Sequence, residues 1–151
     1  MPGMHTHCAE LESLWRQGIP LTTAMGLTVG RFAGDELEVR APLAPNVNVH
    51  GTAFAGSLYA ICALTGWGAL WLRLRARALD AEIVLAAGSI RYRKAVAEDI
   101  VCRCRFDAAL QEPNLRELGD TGSAAFKLAC TVDAGARRAV SFEGEYAAKL
   151  R

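Results

Sequence analysis

Between Ala41 and Asp80 the chain carries no aspartate and no glutamate. A carboxylate base is therefore excluded from that entire stretch. Excess charge of either sign is also lacking, with 17 Lys plus Arg against 16 Asp plus Glu. The basic surplus that nucleic-acid binders use to neutralise phosphates is absent. The first residues, MPGMHTHCAELESLW, do not contain a basic segment followed by an apolar one, which speaks against a secretory signal. Cysteines are few and odd in number: Cys8, Cys62, Cys102, Cys104 and Cys130. Without an export signal they read as reduced thiols of a cytoplasmic protein. Cys102 and Cys104 have no second pair to complete a metal site, and read as small apolar core residues. His5, His7 and Cys8 could chelate a metal, but residues 1–7 are expected to lack fixed structure. No resident metal or cofactor is expected.

What remains is a chain of 151 residues with 52 % hydrophobic content. That length suits one domain, 1–151, with a real core. Leu11, Leu14 and Trp15 fall at helical spacing over residues 8–17, and Gly18 and Pro20 end that helix. Residues 27–32 and 36–41 form two strands across a turn. In the second, Leu37, Val39 and Ala41 alternate with Glu36, Glu38 and Arg40, the pattern of a half-buried strand. Ala53 to Leu72 then runs 20 positions without a charge. That is long enough for a membrane span, and Arg73, Arg75 and Arg77 would suit its flank. Gly56, Ser57, Tyr59, Thr65, Gly66 and Gly68 dilute its hydrophobicity, however, and the strands elsewhere need a partner for their apolar faces. The run therefore reads as a core helix. Its small residues Gly56, Ala60, Ala63 and Gly66 would let a sheet approach closely.

Four further strands follow, over residues 82–94 with a bend or bulge at Gly88, 99–107, 126–132 and 140–146. A polar loop is expected from Pro113 to Gly122. Short connections make the sheet antiparallel. The long helix is the element able to cover the apolar face of such a sheet. The pattern alone thus gives an α+β fold, an antiparallel β-sheet wrapped around one long central α-helix.

That order, together with GTAFAGSLYAICALTGWG at the helix, resembles the hotdog fold, and more narrowly the thioesterase family of YiiD C-terminal type. The resemblance extends over nearly the whole chain. It is most specific at Asn48-x-x-Gly51-Thr52-Ala53-Phe54-Ala55-Gly56-Ser57-Leu58-Tyr59 and Gly66-Trp67-Gly68. It implies a homodimer or dimer of dimers acting on an acyl-CoA or acyl-carrier-protein thioester, with coenzyme A as part of the substrate. Nucleic acid and membrane are not expected partners. Phenylacetyl-CoA-type relatives carry Asn-x-x-Gly-x-x-His-Gly-Gly. Matching Asn48 and Gly51 to that motif puts Phe54 at the histidine position, Gly56 at the last glycine, and Ala63 at the acidic position further along the helix.

Thioester hydrolysis needs a polarised carbonyl, an attacking water and a dry pocket. Free N–H groups at a helix start stabilise developing negative charge, which makes Gly56 and its neighbour Ser57 the leading candidates. Asn48 could orient a water. His50 is a candidate base, since histidine titrates near neutral pH, though a plain loop role is the simpler reading of it. Phe54, Ala55 and Tyr59 are placed to line the substrate. Ser89 could reach a pocket from the neighbouring subunit, as the resemblance implies. Arg91 and Arg93, with Lys94, could meet phosphates, or form a solvated rim. A non-catalytic acyl-thioester or lipid-binding module on the same fold is the alternative reading.

Overall fold

The computed structural model describes residues 2–151, with four α-helices and six strands: α1 (Pro2–Gly18), α2 (Pro20–Met25), β1 (Thr28–Ala33), β2 (Glu36–Ala41), α3 (Ala55–Ala76), β3 (Ala81–Tyr92), β4 (Ile100–Arg105), α4 (Ala108–Thr121), β5 (Ser123–Ala134) and β6 (Arg137–Leu150). The strands form one sheet in the order β1-β2-β4-β5-β6-β3, and every pairing is antiparallel. Register follows the apolar alternation. Leu37, Val39 and Ala41 of β2 lie opposite Cys104, Cys102 and Ile100 of β4, and all six are buried. Phe126 and Cys130 of β5 likewise face Tyr146 and Phe142 of β6. A shift of one residue would turn each of these sets toward water, so burial fixes the register.

Helix α3 lies across that apolar face. Ile61, Cys62, Ala69, Leu70 and Leu72 are completely shielded. By length and composition α3 could cross a membrane, but here it fills the core. Sheet and helix approach closely at Gly66, where an added Cβ would collide with the Tyr146 hydroxyl. That hydroxyl donates to the Ala63 carbonyl at 2.7 Å. Gly56 does not share this role, because the ring packed on it is that of Phe54 from its own chain segment. On the far side of α3, Leu11 and Trp15 of α1 fill the space above Gly68. Burying two such side chains contributes roughly 1.5–3 kcal/mol each. Cys102 and Cys104 are core residues as expected, with the Cys102 Sγ 3.8 Å from that of Cys62.

The C-terminal end of α3 is clamped by its arginines. Arg73 pairs with Asp35, Arg75 with Glu10 at 3.0 Å and Arg77 with Glu112 at 2.6 Å. Cations there also complement the negative end of the helix dipole.

The structure departs from the sequence pattern in several places, among them α2, a helix beginning at Pro20 where none was expected, and the longer spans of β5 and β6. Helix α1 begins at Pro2 rather than Cys8, and the His5 side chain lies outside the described residues. Among the described residues no cluster of His, Cys, Asp and Glu is arranged to hold a metal. Residues 113–121 are not a loop but the greater part of α4. Asp107 caps that helix, accepting the Leu110 N–H at 3.1 Å, and Gly122 ends it in the left-handed region at φ 86°. Gln111, Leu115 and Leu118 supply its buried stripe. Finally, the irregularity in β3 falls between Leu85 and Ala87, one residue before Gly88.

Candidate active site at the start of the central helix

The segment feeding α3 is held by two asparagines. Asn46 is buried. Its Nδ2 donates to the Met25 and Pro42 carbonyls, both at 2.8 Å, and its backbone carbonyl accepts the Phe54 N–H at 2.7 Å. Asn48 closes the next turn. Its Nδ2 donates to Thr52 Oγ1 at 2.8 Å and to the Ala53 carbonyl at 3.4 Å. Its Oδ1 accepts the N–H groups of His50 (2.8 Å) and Thr52 (3.2 Å). An amide side chain has two donors and two lone pairs, so Asn48 is fully engaged by its own loop. It shapes the turn rather than presenting a free group to a water. Gly51 takes φ 79°, a conformation that glycine adopts without steric cost.

His50 and Val49 are thereby held outward at the loop tip, with Val49 95 % exposed. Neither His50 nor the half-buried Ser57 uses its side chain in a hydrogen bond to another described group.

At the first turn of α3, Phe54 occupies the N-cap position and provides no side-chain cap. The N–H groups of Ala55, Gly56 and Ser57 have no acceptor in the preceding loop. These are the orphan donors of a helix start, at the positive end of its dipole. The Phe54 ring, 53 % exposed, rests on the bare Cα of Gly56 and forms one wall beside them. Tyr92 forms another. From the end of β3 its hydroxyl donates to the Ala55 carbonyl at 2.9 Å. Partial burial raises the Tyr92 phenol above its ordinary range, so it stays a donor. The Tyr59 hydroxyl reaches the space above Gly88, and its ring meets that of Phe142 edge-on at 5.4 Å.

Tyr92 and Asn46 did not stand out in the sequence. Tyr92 reaches the helix start only through strand alternation. Gly88, Ile90 and Tyr92 lie on the helix side, opposite Gly144, Phe142 and Val140. Ser89 and Arg91, one residue out of phase, lie opposite Glu143 and Ser141 on the outer face of the sheet. The structure thus gathers Phe54, Ala55, Gly56 and Ser57 at the first turn of α3, with Tyr59 one turn on, holds Asn48 inside the preceding loop, leaves His50 at its exposed tip, and places Ser89 and Arg91 on the other side of the sheet. Arg93 follows the strand end, its N–H bonded to the Ala139 carbonyl at 2.7 Å.

A separate groove of about 810 Å³ runs between α1 and the C-terminal half of α3, lined by Leu14, Ile19, Trp67, Trp71 and Arg75 among others. Trp67 is eleven residues beyond Gly56, about 16 Å along the helix axis, so this groove does not adjoin the first turn within one chain.

Residues 8–150 match the family described as "Putative thioesterase (yiiD_Cterm)". The chain belongs to this family. A crystal structure of the "putative thioesterase" from Shewanella oneidensis is 33 % identical, with a TM-score of 0.86 over 97 % of this chain and 99 % of that one. A protein of unknown function from Chlorobaculum tepidum is 25 % identical, with a TM-score of 0.90 over 95 % and 94 % of the two chains. The fold is of the hotdog type, and the family is thioesterase-like.

Proposed function

We propose that this YiiD C-terminal-type protein hydrolyses an acyl thioester, carried by coenzyme A or by an acyl carrier protein, at the N-terminus of α3. The observation that carries this reading is the uncapped first turn, with free N–H groups at Ala55, Gly56 and Ser57. They would donate hydrogen bonds to the thioester carbonyl oxygen as it gains charge, a contribution worth roughly 100-fold or more in rate per donor in characterised oxyanion holes. Water adds to the carbonyl carbon, the C–S bond breaks, and the products are a carboxylic acid and a thiol. The attacking water's proton ends on the departing sulfur. His50 is assigned to relay it, from a loop whose shape Asn48 holds. Ser57, Tyr59 and Phe54 line the approach.

Purified protein mixed with a panel of acyl-CoAs should release free thiol. Gly56→Val should lower kcat/KM on the order of 100-fold, the scale of a misplaced reacting group. Asn48→Ala should lower it by disordering the turn. Full activity in both variants would remove the site from this end of the helix.

A second reading, a non-catalytic acyl-thioester or lipid-binding module, is favoured by one feature. Phe54 and Ala63 stand where better-known relatives place a histidine and an acid. Tight acyl-CoA binding with no thiol release across the panel would select it.

A further inference from the structure

We infer that the cations at the β3–β6 end of the sheet bind the phosphates of a nucleotide thiol carrier, so that the thioester presented to α3 is that of coenzyme A rather than of a carrier protein. This inference rests on the thioester site proposed above. The Ala139 carbonyl accepts the N–H groups of both Arg93 (2.7 Å) and Lys94 (3.3 Å), and Arg137 lies two residues before Ala139 at the start of β6. All three side chains are exposed and none forms an ion pair among the described residues. Of the other basic residues, Arg31, Arg91, Arg105, Lys127 and Lys149 also form no ion pair among the described residues, whereas nine arginines do. Arg16, Arg40, Arg73, Arg75, Arg77, Arg103, Arg116, Arg138 and Arg151 are each paired with a carboxylate.

None of the acids nearby is paired with the cluster. Asp133 is paired with Arg138 at 2.7 Å. The Glu98 carboxylate accepts the Gly135 N–H at 2.8 Å, and that of Asp99 accepts the Leu43 N–H at 2.8 Å.

Position links this cluster to the reactive turn. The Val96 carbonyl, two residues after Lys94, accepts the Ala53 N–H at 2.8 Å, and Ala53 is two residues before α3 begins. Backbone geometry then keeps Lys94 within about 20 Å of the first turn. A pantetheine arm is the kind of spacer that bridges such a gap between thioester and phosphates. Arginine forks match phosphate oxygens two at a time. A carrier protein would also have to cover the adjoining outer face, where Glu143 and Glu145 stand beside Ser89 and Lys127. With Lys127 opposite Glu145 and Arg91 one pair along from Glu143, that face lacks the basic excess an acidic carrier would need.

The test compares one acyl group on coenzyme A, dephospho-coenzyme A, pantetheine and acyl carrier protein, using the full chain and the Arg93→Ala/Lys94→Ala/Arg137→Ala variant. KM should be at least about ten-fold lower for acyl-CoA than for acyl-pantetheine, the scale of one charge-assisted contact. In the variant that ratio should fall toward one. Equal KM values in the wild type, an unchanged ratio in the variant, or preference for the carrier-protein substrate would overturn the inference. Calorimetry with free coenzyme A separates its failure from that of the hydrolase reading. Binding weakened at least about ten-fold in the variant, with no turnover of any thioester, upholds phosphate recognition and rejects hydrolysis. Coenzyme A binding no tighter than pantetheine binding rejects the carrier inference itself.

Discussion

Glu38 shows how a single charged side chain is tolerated in this sheet. Only 4 % exposed, it lies on the outer face, with Arg40 at 2.6 Å and Arg103 at 3.2 Å. Burial alone would raise its carboxyl. The Arg40 hydrogen bond and the charges of Arg40, Arg103 and Arg31 outweigh burial and hold it below the usual range. A depressed carboxylate stabilises the fold above its unfolded pKa of about 4.3. That stabilisation is lost as pH falls through the folded value. Glu38→Gln should therefore cost about 2 kcal/mol at pH 7, the scale of hydrogen bonds to a charged group. Urea unfolding at descending pH should show the gap between variant and wild type closing below about pH 4. The alternation of Glu36, Glu38 and Arg40 correctly put these side chains on the outer face. It gave no hint that Glu38 would be covered, because the cover comes from Arg103 on β4 and from the register that aligns it. Ser89 and Arg91 carry the same lesson in reverse. Their chemistry was visible in the sequence, but their face depended on the irregularity between Leu85 and Ala87.

Among the elements, α3 was legible as a 20-residue run without charge, and strands such as β2, β4 and β5 from the alternation of apolar and polar residues. Helix α4 was not. Pro113 sits inside it, and proline usually marks a helix end. The signals that outweigh it were present: Asp107 before the first turn, the Gln111–Leu115–Leu118 stripe, and Gly122 just past the end. Here the proline falls early, one turn into the helix, where it removes the N–H that would reach the Ala109 carbonyl. An interior proline costs about 3 kcal/mol relative to alanine, while it restrains the unfolded chain by about 1 kcal/mol or less. Pro113→Ala should accordingly stabilise the protein by about 2 kcal/mol, seen as a raised denaturation midpoint at constant m. No gain would mean that α4 has already relaxed around the ring. The candidate site shows a comparable division. Its helix start was readable from glycine spacing, whereas Tyr92 and Asn46 enter it only through tertiary placement.

For the whole molecule, β3 is an edge strand of 12 residues. Trp67 and Trp71 of α3 remain only partly covered. A long unpaired edge is a template for another strand. We propose that a second copy covers it, so size-exclusion chromatography with light scattering should give a dimer or a dimer of dimers. A monomer at micromolar concentration would refute that assembly.

The placement of sulfur gives the molecule a further property. Four of its five thiols, Cys62, Cys102, Cys104 and Cys130, sit in the core between α3 and the sheet, while Cys8 is partly open. The hydrogen bond with Cys102 and burial push the Cys62 thiol up, and burial does the same for Cys130. All four core thiols are completely shielded, so alkylating reagents cannot reach them until the helix lifts from the strands. The chain therefore contains its own opening gauge. One thiol is available to an alkylating reagent in the native state, and the uptake of four more would time the separation of the central helix from its sheet.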